Sequence, residues 1–155
     1  MSLIDSISGK LLSKSPAEAV LDISGIRFRI NISLSTYENL PDNGTDVEIL
    51  TYLHVKEDLL VLYGFKDLSE RSLFIHLNSV SGIGPRSAMN ILSGTDPNKF
   101  KNQIIDGDVK SLTVIPGIGT KTAKRIIVEL RENFIEKLLS ESGDVTTAVS
   151  YTHLT

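Results

Sequence analysis

The sequence predicts an α+β chain in two parts: an N-terminal five-stranded β-barrel of the oligonucleotide-binding (OB) type, then an all-α domain made of a tandem helix-hairpin-helix. Three observations carry this reading. In the first half, residues 19–32 and 47–55 alternate apolar and polar with period two, the signature of half-buried strands. From Asp67 onward the apolar spacing becomes helical. And SGIGPRSAMNIL (81–92) returns thirty-five residues later as PGIGTKTAKRII (116–127), a repeat that fixes the structural unit of the second half.

Taken in order, Leu3 to Leu12 reads as the opening strand. Ala19, Leu21 and Ile23 alternate with Val20, Asp22 and Ser24; after the turn at Ser24-Gly25, Ile26, Phe28, Ile30 and Ile32 alternate with Arg27, Arg29 and Asn31, which is a hairpin signal. SLSTYENLP (33–41) is a short helix or turn. Val47, Ile49, Thr51, Leu53 and Val55 make the fourth strand and LLVLYGF (59–65) the fifth. Five short strands in so few residues suit a closed or nearly closed barrel, because closure removes exposed edges. A small sandwich is the second choice.

DLSE (67–70) places an N-cap aspartate three residues before a glutamate, a capping box, and Leu68, Phe74, Ile75 and Leu77 follow it at helical spacing. Each repeat then reads as a helix, a tight Gly-x-Gly connection, and a second helix starting near Pro85 or Thr120. Proline suits a first helical turn, where its missing N–H costs nothing. SGTDPNKF (93–100) ends one helix and starts the next, with Thr95 or Asp96 as cap.

Composition bounds the function. Cysteine is absent, which excludes disulfides and thiolate metal sites, and the three histidines, His54, His76 and His153, are scattered. No apolar run approaches the roughly 20 residues that span a bilayer, and MSLIDSISGK lacks a secretory pattern, so a cytoplasmic protein is expected. The net charge of −3 hides a division: residues 1–66 carry 6 Lys/Arg against 9 Asp/Glu, whereas residues 67–139 carry 10 against 8. Positive charge gathers where the repeats are, and charge speaks to partners.

A Gly-x-Gly turn running into a helix exposes backbone N–H groups at the positive end of that helix, which binds phosphate without any side chain. The missing Cβ atoms let a sugar-phosphate chain approach closely. Ile83 and Ile118, between the glycines, are expected to point inward. Arg86 follows in one copy; Lys121, Lys124 and Arg125 follow in the other. Two such sites would grip neighbouring phosphates or both strands of one duplex, fixing register without reading bases. The competing interpretation makes the glycines simple αα-corners and the charges solvated helix faces; duplication with basic residues in both copies favours DNA. A dinucleotide site is disfavoured because no strand precedes Gly82 or Gly117, and no GxxxxGK[ST] phosphate loop occurs.

The doubled [VI]-x-GIG-x-[KR]-x-A, preceded by HVKEDLLVLYGF and SERSLFIHL, resembles the bacterial RuvA family of Holliday-junction branch-migration proteins over about residues 1–137. That resemblance implies a non-enzymatic, structure-selective scaffold for four-way DNA in homologous recombination and repair, acting as a homotetramer or octamer, with no cofactor. It implies DNA contacts at Gly82, Gly84, Arg86, Gly117, Gly119, Thr120, Lys121, Lys124 and Arg125. Thr120 departs from the second lysine common in relatives, and a weaker salt dependence is expected there. Glu57 and Asp58 become an acidic pin at the junction centre, with Lys56 beside them as a phosphate contact. The partners implied are the RuvB motor and the RuvC resolvase.

By motif the domains are 1–66, 67–139 and 140–155. RIIVELRENFIEKLL is expected to end near Leu139, and SESGDVTTAVSYTHLT reads as a linker or non-native tail. The family's small motor-binding domain is then missing, and RuvB binding is expected to be lost. Two other readings stay open. A helix-hairpin-helix nuclease or glycosylase would use carboxylates, of which Glu57, Asp58, Asp106 and Asp108 are the conspicuous neighbours; Asp106-Gly-Asp108 more readily caps the following helix. A protein-binding module would use the barrel for peptides.

Overall fold

A computed structural model describes the backbone of residues 2–154 and the side chains of residues 2–142. It forms two compact units, Met1–Pro97 and Asn98–Thr155.

The first unit begins with β1 (Ser6–Lys14), β2 (Glu18–Ile23), β3 (Ile26–Ile32), the short helix α1 (Leu34–Asn39), β4 (Asp46–Lys56) and β5 (Leu59–Phe65). The strands close into a barrel in the order β1-β2-β3-β5-β4, the closing pair β3 and β5 meeting over two residues. All pairings are antiparallel except β3 with β5, where Asn31 meets Tyr63 and Ile32 meets Gly64. Gly64 is required there by space: a Cβ would stand 2.6 Å from Cγ2 of Ile30 and 2.8 Å from Cγ2 of Ile49. The alternation read from the sequence is the barrel's inside-outside pattern. Leu11, Ala19, Leu21, Ile30, Ile32, Ile49 and Leu62 fill the interior. The pattern outruns the core at the hairpin ends, where Ile26 is 62% and Val55 63% exposed.

The same unit holds α2 (Leu68–Ser79) and α3 (Pro85–Ser93). Phe74 explains why packing divides the chain elsewhere than the change of period at residue 67. Its ring lies fully buried, with centroids 5.4, 5.2 and 5.0 Å from those of Tyr52, Tyr63 and Phe65 on β4 and β5. The apolar stripe of α2 is Leu73, Phe74 and Leu77, beside Glu70; Leu68 and Ile75, which the sequence places at helical spacing with them, are 65% and 40% exposed. Positions three, four and seven after Glu70 share one face, and Leu68 and Ile75 fall off it.

Asp67 caps α2 as expected, accepting the Glu70 N–H at 2.9 Å. Glu70 does not reach back to complete the box. Its buried Oε1 accepts hydrogen bonds from the hydroxyls of Ser33, 2.7 Å, and Thr36, 2.6 Å, the residues that start α1. Thr36 Oγ1 in turn accepts the Lys66 N–H, and Ser33 Oγ the Thr36 N–H, both at 3.1 Å. One carboxylate thereby ties α1, the end of β5 and α2 together.

The second unit comprises α4 (Pro97–Asp106), α5 (Val109–Thr113) and α6 (Thr120–Leu154). Ala123, Ile126, Leu130 and Phe134 form the buried stripe of α6, and Arg131 Nε donates to the Ile105 carbonyl of α4 at 2.8 Å. The expected end of this helix near Leu139 is corrected: α6 runs on to Leu154. Extending a formed helix adds a hydrogen bond for each residue fixed, and no proline follows Pro116 to break the ladder. Whether residues 143–155 serve as a linker or non-native tail concerns side chains outside the described residues.

Burial raises the Glu70 carboxyl above its ordinary 4.5, and the Thr36 and Ser33 hydroxyls pull it partly back. An acid raised in the folded state contributes stability that is complete below its unfolded value and lost as pH rises through the folded one. In urea melts between pH 4.5 and 8, Glu70→Gln is therefore expected to remove that decline, since an amide oxygen still accepts both hydroxyls. Glu70→Ala is expected to cost about 1–3 kcal/mol, because the two hydroxyls lose their buried acceptor.

Candidate nucleic-acid interface

The first corner joins α2 to α3. After the α2 cap, Val80 N–H donates to Leu77 O at 3.1 Å, Ile83 N–H to Val80 O at 3.0 Å, and Ala88 N–H to Gly84 O at 2.9 Å. In the second corner, between α5 and α6, Ile115 N–H donates to Leu112 O at 3.1 Å, Ile118 N–H to Ile115 O at 3.1 Å, and Ala123 N–H to Gly119 O at 2.9 Å. Two different stretches of sequence thus produce one hydrogen-bond ladder. The reversal occurs at Gly82, φ +88°, and Gly117, φ +91°, where a side chain would be strained. Ile83 and Ile118 are buried, as expected, and each pins its corner from behind.

The first bond of each new helix is made by the Ala88 or Ala123 amide, so the amides before it, Arg86 and Ser87 in one copy, Lys121 and Thr122 in the other, lack an intrahelical partner. Gly84, the N-cap of α3, has no side chain to satisfy them. A Cβ at Gly84, Gly117 or Gly119 would meet nothing within 4 Å, and all of these glycines lie at the surface. Each corner therefore offers donors, a positive helix end and room for close approach. Arg86 is exposed beside the first corner; Thr120, Lys121, Lys124 and Arg125 are exposed on the first two turns of α6 beside the second. Asp108 is occupied otherwise: it caps α5, accepting the Ser111 N–H at 3.1 Å.

Lys56, Glu57 and Asp58 sit together at the tip of the β4–β5 hairpin, where Lys56 pairs with Leu59 and the two acids make the turn. Every residue from Val55 to Leu60 is exposed, so the ribbon extends past the barrel core. Leu59 and Leu60, 48% and 69% exposed, are features that the sequence did not single out. Their alternation continues that of the core-facing strand, and nothing local marks where the ribbon leaves the barrel.

Alanine at Gly82 or Gly117 is expected to cost about 1–3 kcal/mol in thermal or urea melts, because it forces a left-handed backbone on a residue with a side chain. Alanine at Gly84 or Gly119 meets no neighbour and is expected to stay within about 0.5 kcal/mol of wild type.

Residues 3–64 match the RuvA N terminal domain, and residues 74–132 match the SAM-like helix-hairpin-helix tandem. Among similar proteins, each named Holliday junction branch migration complex subunit RuvA, that of Thioalkalivibrio sulfidiphilus is 46% identical over 130 residues, 84% of this chain and 65% of its own length. That of Geobacter metallireducens is 44% identical over the same shares. The chain thus spans about two thirds of the length of these relatives. The Cytophaga hutchinsonii protein is 42% identical over 151 residues, which is 97% of this chain and 75% of the relative. Identity of this order over most of the chain, together with the two matched domains, makes the chain a member of the RuvA family.

Proposed function

We propose that this chain binds four-way DNA junctions as a non-enzymatic scaffold of branch migration in recombination and repair. The observation that carries this is the recurrence of one corner geometry in two places, each with outward amides and neighbouring cations. Each corner takes a phosphate: Gly82, Gly84 and Arg86 at one, Gly117, Gly119, Thr120, Lys121, Lys124 and Arg125 at the other. Such contacts hold a duplex by its backbone and ignore its bases.

Selectivity for a branch comes from the hairpin tip. Glu57 and Asp58 repel phosphates, so ordinary duplex is disfavoured where the tip projects, whereas the open centre of a junction accommodates it. Lys56 supplies a compensating cation. Several copies around one junction would multiply both effects, and a homotetramer, doubled to an octamer, is the assembly this reading favours. The relatives' name places them in a branch migration complex; the RuvB motor and the RuvC resolvase are the partners this reading implies for the full-length family, with the work done in the bacterial cytoplasm. By function the chain divides into the barrel with its tip, 1–66, and the two corners, 67–139.

Replacing Lys121, Lys124 and Arg125 together by alanine is expected to weaken junction and duplex binding alike and to lower the salt slope by about 0.9 for each phosphate no longer neutralised. Unchanged affinity in gel shifts across a salt series would refute the phosphate assignment. Glu57→Ala with Asp58→Ala is expected to tighten duplex binding and shrink the junction-to-duplex preference by about tenfold or more in competition, each tenfold corresponding to about 1.4 kcal/mol of discrimination. Unaltered preference would remove the tip from the account.

A further inference from the structure

An open groove of about 600 Å³ runs along the first unit between the barrel and α3. Leu59, adjacent to the acidic tip, stands at its margin, and Arg86 of the first corner also lines it. It therefore connects the two features that the proposed function assigns to DNA. Ile32, Val61 and Met89 give it apolar walls, while Asn31 and Asn90 add amides that can both donate and accept. Among the described residues no carboxylate lines it. Arg86 makes no ion pair among the described residues. Its charge nevertheless acts on the Tyr63 phenol, another lining group, whose pKa burial pushes up and Arg86 draws down.

Apolar walls, bidentate amides and an unneutralised guanidinium are what one unpaired nucleotide requires: faces to pack against, edges to hydrogen-bond, and a phosphate to neutralise. We infer that this groove receives a single nucleotide unpaired at the branch point, with Arg86 on its phosphate and Asn31 and Asn90 at its base edge. The inference rests on the reading of Glu57 and Asp58 as a strand-separating tip, and gives that separation a favourable term: repulsion opens the pair, and the groove holds what is released. A second copy of the chain is the competing occupant. The missing acidic partner for Arg86 and the continuity with both DNA contacts favour the nucleotide.

Four-way junctions carrying 5-iodouracil at the branch nucleotides would be bound to the full chain and irradiated, and the crosslinked peptides mapped by mass spectrometry. Crosslinks within residues 59–63 and 86–93, absent with linear duplex of the same sequence, are expected. Asn90→Trp, which fills the groove from an exposed helical position, is expected to cut that crosslink and to weaken junction binding by about tenfold, the order of a single base-stacking interaction. Its mass in light scattering and its thermal midpoint should match wild type. Wild-type preference for the junction with crosslinks elsewhere overturns the groove and leaves the proposed function standing; loss of junction preference in the wild type sinks both. A changed oligomer mass for Asn90→Trp assigns the groove to contact between copies and also overturns the inference.

Discussion

The corner geometry depends on a backbone conformation that only glycine adopts without strain. At Gly82 and Gly117 the chain turns through φ near +90°, and the isoleucine that follows is driven into the protein interior. Those two facts together set the direction of the next amides. With the isoleucine anchored, the start of the following helix is directed outward, and at α3 the capping position is another glycine, which has no side chain to accept from the leading N–H groups. Binding by backbone amides works only if the backbone is held before the ligand arrives, since each donor ordered on binding would subtract from affinity. The matching hydrogen-bond lengths in the two corners show how closely that arrangement repeats.

The barrel contributes a different constraint. Phe74 and the buried Glu70 fasten α2 to the barrel and to α1, so the acidic tip and the first corner belong to one compact unit. A repulsive tip and an attractive corner discriminate between DNA shapes only if their spacing is fixed. A flexible joint would let either engage without the other, and the difference between junction and duplex would shrink. The carboxylate of Glu70 is costly in that setting, because among the described residues Oε2 has no hydrogen-bond partner while Oε1 takes two hydroxyls. Such a buried polar group fits the idea of a specifying contact better than that of a stabilising one.

Much of this is legible in the sequence because its signals are local. Period-two alternation locates the second, third and fourth strands within a few residues, the continuous apolar run LLVLYGF marks the fifth, and the doubled glycine pattern locates both corners and the inward isoleucines. What escapes depends on distant partners. Glu70 has the spacing of a capping-box glutamate, and only the neighbouring hydroxyls of Ser33 and Thr36, more than thirty residues away, draw it elsewhere. Leu68 and Ile75 match a helical period yet lie outside the buried stripe, since periodicity leaves the exact phase of a face undecided. The end of α6 is hard to place because serine, glycine and threonine weaken a helix without stopping it. The groove beside α3 has no linear signal at all: its walls come from strands, a turn and two helices.

The two copies of the corner have diverged in what surrounds them, and this bears on how each would act. The first follows the twelve-residue α2, carries one nearby cation, Arg86, and adjoins the groove. The second follows the five-residue α5 and is flanked by Lys121, Lys124 and Arg125 on a long helix. Attraction that depends on mobile lysines is long in range and falls steeply with salt, whereas amides and a guanidinium in a shaped site act at contact and are screened less. On that footing, and under the proposed function, the second corner would dominate capture of a duplex and the first would govern how the DNA is seated once captured. Duplication preserved the turn, where a single backbone angle leaves no alternative, and left the periphery free to separate holding from positioning.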